Sequence, residues 1–186
     1  SSDLELMRND RAILLRNAMV DTTSDQAVKV PENLRSGEDP GTYVVQGRGG
    51  SSDALKRQLV MLGARVISYI PNNAYLVQAS PAVAQSLTGA SEVAAILPNE
   101  PHFKLEPGLA QAVMQQMDVP EMLMLTLLDV DQTLASVQAL GAKPLLRQRG
   151  PYGELVTVSA PPGSIVALAR LPGVTLVEEV HARQTA

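Results

Sequence analysis

Cysteine and tryptophan are absent, phenylalanine occurs once, and aromatic residues make up only 3% of the 186-residue chain. Without cysteine there are no disulfides, thiolate nucleophiles or cysteine metal ligands. Many bacterial secreted proteins also do without it, so this absence leaves the compartment open. The scarcity of aromatic rings removes base-stacking platforms and aromatic ligand cages, and recognition must rest on aliphatic surface and backbone. Positive charge is not in excess either. The 15 basic and 19 acidic residues leave a net charge of −4, which offers no cationic footprint for nucleic acid or an anionic membrane. No apolar run reaches the roughly 18 residues of a membrane span. What the chain does have is 45% hydrophobic residues with 13 glycines and 13 prolines, a composition that suits one large or two small globular domains. It begins with Ser1 and shows no signal-peptide pattern, which points to a processed protein or a piece of a longer one.

Alternation and turn residues divide residues 42–101 into short elements. TYVVQG at 42–47 alternates like a strand, and the glycine-rich run 47–50 turns the chain. Ser51 or Ser52 caps a helix in which Leu55, Leu59 and Leu62 recur at helical spacing and Gly63 supplies the stop. Strands at 64–70 and 74–79 flank Pro71, Asn72 and Asn73, a turn because proline presets φ and asparagine tolerates left-handed geometry. Pro81 opens a second helix carrying Val83 and Leu87, and 93–97 reads as a fourth strand. The order is βαββαβ.

The same order recurs over residues 121–182. A strand at 121–128 precedes a helix at 129–140, capped by Asp129 and stopped by Gly141. A hairpin of 142–148 and 154–160 turns at Gly150, Pro151, Tyr152 and Gly153. Pro162 then opens a helix to Leu171, before a strand at 174–179. LGAR at 62–65 and LGAK at 140–143 stand 78 residues apart, so two copies of one module follow each other. The chain thus divides into an N-terminal extension at 1–41, a first module at 42–106, a linker at 107–120 and a second module at 121–186. Within the extension, 11–19 reads as one helical segment and 21–40 as irregular chain. In the linker Leu109, Ala112, Val113 and Met117 lie on one helical face. Each module resembles the split-βαβ, ferredoxin-like architecture of the α+β class, an antiparallel sheet with two helices on one face.

A module of roughly 60–75 residues removes only about 60% of its unfolded surface, so its open sheet face calls for a partner. The strand at 121–128 makes this clearest. Leu123, Leu125 and Leu127 face one way and Met122 and Met124 the other, so both faces are apolar. The sheet's open side is therefore expected to be covered by the other module or by another protein. The alternative is that the methionines fill an irregular gap within the module.

Chemistry is hard to find. His102 and His181 each stand near the end of a module with no metal-ligand spacing around them, and both are expected to be solvated. No nucleophile elbow occurs, and the serines after Gly50 and Gly163 sit where capping is their ordinary use. Gly47, Gly49 and Gly50 lack the Lys-Ser/Thr of a phosphate loop and have only Arg48 beside them, so a structural turn is expected. No metal or cofactor is expected, and the chain is not expected to be an enzyme itself. At the C-terminus VTLVEEVHA, at 174–182, ends a strand in the acidic pair Glu178 and Glu179 and runs into a polar tail. The pair is either solvated or capping helix N-termini on a partner, and the tail is suited to strand addition in a cleft.

Both modules resemble the propeptide, or inhibitor domain, of subtilisin-like serine proteases. The first carries TYVVQGRG at 42–49, LGARV ending its helix, YIPNNAYLV at 69–77 and VAAILPNEPHFKL at 93–105, similar to the N-terminal regions of multidomain bacterial subtilases. The second ends in VTLVEEVHA, which resembles the last strand and acidic pair of that propeptide. The resemblance implies an intramolecular chaperone and inhibitor, secreted or periplasmic, whose partner is a subtilisin-like catalytic domain of the same polypeptide. Its open sheet face would pack on two protease helices. Glu178 and Glu179 would cap those helices, and His181, Ala182, Arg183, Gln184, Thr185 and Ala186 would lie product-like in the active-site cleft, with Ala186 at or near the scissile position. The family's Asp-Thr/Ser-Gly, His-Gly-Thr-His and Gly-Thr-Ser-Met signatures do not occur in the sequence, so catalysis would reside in a domain after Ala186. The family usually has one module, and the tail favours the second as the one that docks. Two rival readings are a ligand-binding regulatory pair of ferredoxin-like domains, and a purely structural N-terminal region.

Overall fold

The structure is a computed structural model that describes residues 30–71 and 73–180. The expected helix at 11–19 and the tail from His181 onward lie outside the described residues. The chain folds as two α+β units, each built on a four-stranded antiparallel sheet. The first comprises β1 (Thr42–Gly47), α1 (Ser52–Met61), β2 (Arg65–Ile70), β3 (Ala74–Gln78), α2 (Pro81–Thr88) and β4 (Val93–Pro98), with sheet order β2-β3-β1-β4. Two helices follow, α3 (Pro101–Lys104) and α4 (Pro107–Met114). The second unit comprises β5 (Met122–Leu127), α5 (Val130–Ala139), β6 (Lys143–Gly150), β7 (Gly153–Ser159), α6 (Ile165–Arg170) and β8 (Val174–Glu179), ordered β6-β7-β5-β8.

The helices lie where apolar spacing and caps put them. Ser51 Oγ accepts from the N–H groups of Asp53 and Ala54 at 3.1 and 3.4 Å, satisfying two of the free donors that open α1. Leu55 and Leu59, one turn apart, bury against Tyr43, Val45, Tyr75 and Val77 of the first sheet. In the second unit Val137 of α5 and Ile165 and Leu168 of α6 bury against Leu123, Leu125, Val156 and Val174. The linker helix α4 joins this layer through Leu109 and Ala110, and so does Leu34 from a short 3-10 turn at Glu32–Leu34.

Several expectations need correction. Asp129 does not cap α5; it stands in left-handed geometry with φ +46° and makes no capping bond, and its carboxylate reaches the first module instead. There Oδ2 accepts from Gln78 Nε2 at 2.5 Å and Oδ1 lies 3.7 Å from Arg65. Thr133 Oγ1 bonds the carbonyl of Leu128 at 2.5 Å at the start of that helix. Nor does Pro162 open a helix: Gly163 adopts φ +81° and α6 starts only at Ile165, so the turn consumes the first three residues. Ser164 directs its hydroxyl back to the Pro161 carbonyl at 2.7 Å and caps nothing. His102 is buried at 6% exposure, its ring 5.6 Å from that of Phe103, because α3 is wedged between the two units.

The sheets correspond strand by strand, down to their irregularities. Register slips between Gln46 and Gly47 where β1 meets β4, and between Thr126 and Leu127 where β5 meets β8. It slips again between Val66 and Ser68 on β2 and between Pro144 and Leu146 on β6. These bulges make Thr42, Val44 and Gln46 the equivalents of Met122, Met124 and Thr126, and Ile67 the equivalent of Leu145.

The junction between the units is dense. Phe103 packs on the outer face of the first sheet with Val44, Ile70 and Leu76, while Lys104, the next residue, sends Nζ to the carbonyls of Ala169 and Leu171 at 2.9 and 3.2 Å. In return Arg170 donates to the carbonyls of Asn33 and Arg35 at 2.8 and 3.1 Å. Both the backbone N–H and the hydroxyl of Ser36 bond the Glu100 carboxylate. Gly41, with φ +78°, lets the chain pass Pro172 so closely that a Cβ there would meet the Pro172 carbonyl oxygen at 2.4 Å.

Candidate functional site

Strand alternation gives each sheet a helix-facing side and an outer side, and the two outer sides differ. On the first, Val44, Ile70, Ala74 and Leu76 are buried at 5% exposure or less, with Phe103, Val30 and Ile67 packed against them. On the second, the counterparts of Val44, Ala74 and Leu76 are only half-buried and that of Ile70 is the exposed Gln148, while the positions matching Thr42, Ile67 and Ser68 are open. Met122 is 44% exposed, and the bulge residues Leu145 and Leu146 are 49% and 53% exposed. Between them lie half-buried Met124, Leu155, Thr157 and Leu176. The face therefore carries an exposed apolar strip, with Gln148, Thr157, Ser159 and Glu178 as the polar side chains on the same side.

The expectation that the other module covers this sheet does not hold among the described residues. The relation runs the other way, since α3, lodged against α6 and β8 of the second unit, helps to cover the first sheet. Met122 and Met124 do lie on the outer side, as their alternation with Leu123 requires. The acidic pair is divided. Glu178 stands opposite Met124 on the outer side, whereas Glu179 stands opposite Leu123 on the helix side. One of the two is therefore placed with the open face and the other is turned from it. His181, Ala182, Arg183, Gln184, Thr185 and Ala186 lie outside the described residues.

At the far edge of the sheet, residues 105–106 lie along β8. Leu105 forms a parallel bridge with Val177, and Glu106 donates its N–H to the Val177 carbonyl at 2.9 Å. The Glu106 carboxylate then accepts the N–H of Glu179 at 2.8 Å. Lys104, just before this pairing, is 1% exposed. Burial lowers its pKa to about 7, against the opposing pull of Glu100 and Asp39, which favour the charged form.

The glycine run after β1 behaves as a turn. Gly47 donates to the Asn73 carbonyl at 2.7 Å, and a Cβ on it would meet the Asn73 side chain at 2.5 Å. Among the described residues no three His, Cys, Asp or Glu side chains come together as a metal site, and no helix is long and apolar enough to cross a membrane. An open groove of about 800 Å³ lies on the helix side of the second sheet, lined by Val113, Met117, Val119, Pro162 and Val166 among others.

Lys104 and Glu106 went unnoticed in the sequence. A lone lysine within PHFKLEPGL, flanked by Phe103 and Leu105, was the available signal for the first; for the second there was none, because pairing of a linker with β8 leaves no trace in periodicity.

A family model described as a domain of unknown function (DUF8729) matches residues 14–100, which take in the first sheet and both of its helices. No curated protein and no solved structure matches the chain.

Proposed function

We propose that the chain is the propeptide region of a secreted or periplasmic subtilisin-like serine protease, acting as intramolecular chaperone and inhibitor through its second module. The observation that carries this reading is the difference between two equivalent sheet faces, one sealed from within and the other left apolar and open. The motifs quoted above support the choice of family, and the open face supports the second module as the docking one. The βαββαβ order, with both sheets arranged in the 2-3-1-4 pattern, supports a ferredoxin-like assignment for each module. With its outer side sealed, the first module serves as a brace in this reading.

In this reading Met122, Met124 and Leu146 lie on the protease, each contributing up to about 1.5–3 kcal/mol if fully buried. Glu178 shares their side and meets a helix N-terminus of the protease, where a carboxylate is favoured. Glu179, turned to the other side, supports β8 instead of capping. Residues beyond Val180 enter the cleft in extended form, their backbone supplying the hydrogen bonds. Inhibition needs no chemistry from this chain, because a preorganised strand fills the site that a substrate would use.

The test is to add the chain to a mature bacterial subtilisin and follow hydrolysis of a chromogenic peptide. Slow-binding inhibition is expected, weakened at least about tenfold by the double variant Met122→Asp, Leu146→Asp, whose exposed positions leave the fold intact. The absence of both inhibition and a complex on gel filtration would refute the reading.

A further inference from the structure

We infer that Glu106 is a positioning residue for the C-terminal tail: with Leu105 it closes the free edge of β8 as far as Glu179 and so fixes where the tail leaves the sheet. This rests on the propeptide reading and deepens it, since it assigns a task to the linker that joins the two modules.

In the sheet order β6-β7-β5-β8, β8 is an edge strand, and an edge presents unpaired N–H and C=O groups to any passing chain. Residues 105–106 occupy part of that edge. The Val177 carbonyl takes the N–H of Glu106, and the Glu179 N–H is taken by the Glu106 carboxylate, at 2.9 and 2.8 Å. A bond to a carboxylate is among the stronger hydrogen bonds available to a backbone N–H. The carboxylate is held on the linker by two anchors: Leu105 before it is fully buried, and Leu109 after it is 2% exposed. Both belong to the core of the second unit, so Glu106 moves with the sheet that it caps.

The consequence is one of register. From Val177 to Glu179 the backbone of β8 is engaged on both sides, by β5 and by the linker. Val180, which follows, is 37% exposed. The seven residues 180–186 span about 23 Å when extended, enough to run through a cleft from a fixed point. Releasing that point adds freedom that must be lost again on docking, which weakens binding without touching any contact with the protease.

Two measurements on the full chain decide the matter. Amide hydrogen exchange should show the Glu179 N–H exchanging about tenfold faster in Glu106→Ala, with protection retained in Glu106→Gln, which keeps an acceptor oxygen. Inhibition of subtilisin should weaken about tenfold in Glu106→Ala and recover in Glu106→Gln, and the loss should vanish in a chain ending at Val180, where no tail remains to be aimed. An equal loss with and without the tail would mean a merely structural role and overturn the inference, as would unaltered inhibition in Glu106→Ala. A parent chain that does not inhibit would refute the propeptide reading itself, and Glu179 exchange would then report separately on whether Glu106 closes the edge.

Discussion

The ammonium of Lys104 has exchanged water for two carbonyl oxygens, those of Ala169 and Leu171, at the end of α6. A lysine so placed gives up its proton near pH 7, whereas in the unfolded chain it holds the proton to its ordinary value of 10.5. Between these limits the unfolded chain binds one proton more than the folded one. Stability must therefore rise with pH across that window, by up to about 1.4 kcal/mol per unit, and below it this group contributes no slope. Urea unfolding of the parent and of Lys104→Met at pH 6, 7, 8 and 9 should show the parent gaining on the variant from pH 7 upward; parallel curves would contradict it. Removing the amine also strands two carbonyls, so the variant should be less stable at every pH, and the slope separates the two effects.

Two serines, each placed just before a helix, behave differently at the scale of the element. Ser51 accepts from two N–H groups of α1, so Ser51→Ala should cost about 1 kcal/mol, read as a lower urea midpoint. Ser164→Ala should cost less, because that hydroxyl only donates to the Pro161 carbonyl. Both positions look alike in sequence, and the comparison marks how far sequence reading reached. Strand β8 was legible to the residue, since apolar alternation bounded by Gly173 and the acidic pair leaves little freedom. The late start of α6 was not, because Pro162 suits either a helix opening or a turn, and Gly163 in left-handed geometry decides for the turn. Of the open face, Met122 and Met124 could be read from alternation, but Leu145 and Leu146 depend on a bulge that only strand pairing reveals. The acidic pair was legible as a pair; that β8 divides it between two faces follows from period 2 alone and could have been seen.

The units are bound into one molecule by segments that belong to neither sheet. Leu34, fully buried, belongs to the buried cluster of the second unit that includes Leu168 and Val177, although it precedes the first unit in the chain. Leu34→Ala should lower stability by about 2–5 kcal/mol, and amide exchange should show the loosening in α6 and β8. Protection lost only near residue 34 would contradict that assignment. The placement of Leu34 also bears on synthesis. A ribosome releases residue 34 long before residue 177, an interval of roughly 7–30 s at about 5–20 residues per second. Strands β1 to β4 are contiguous in the chain and can pair as they emerge, but Leu34 and the polar groups of Lys104 must wait until α6 and β8 have been made. Until then the nascent chain carries an apolar anchor without its partners, and a message cut short before residue 165 would yield a product in which that anchor never finds its place.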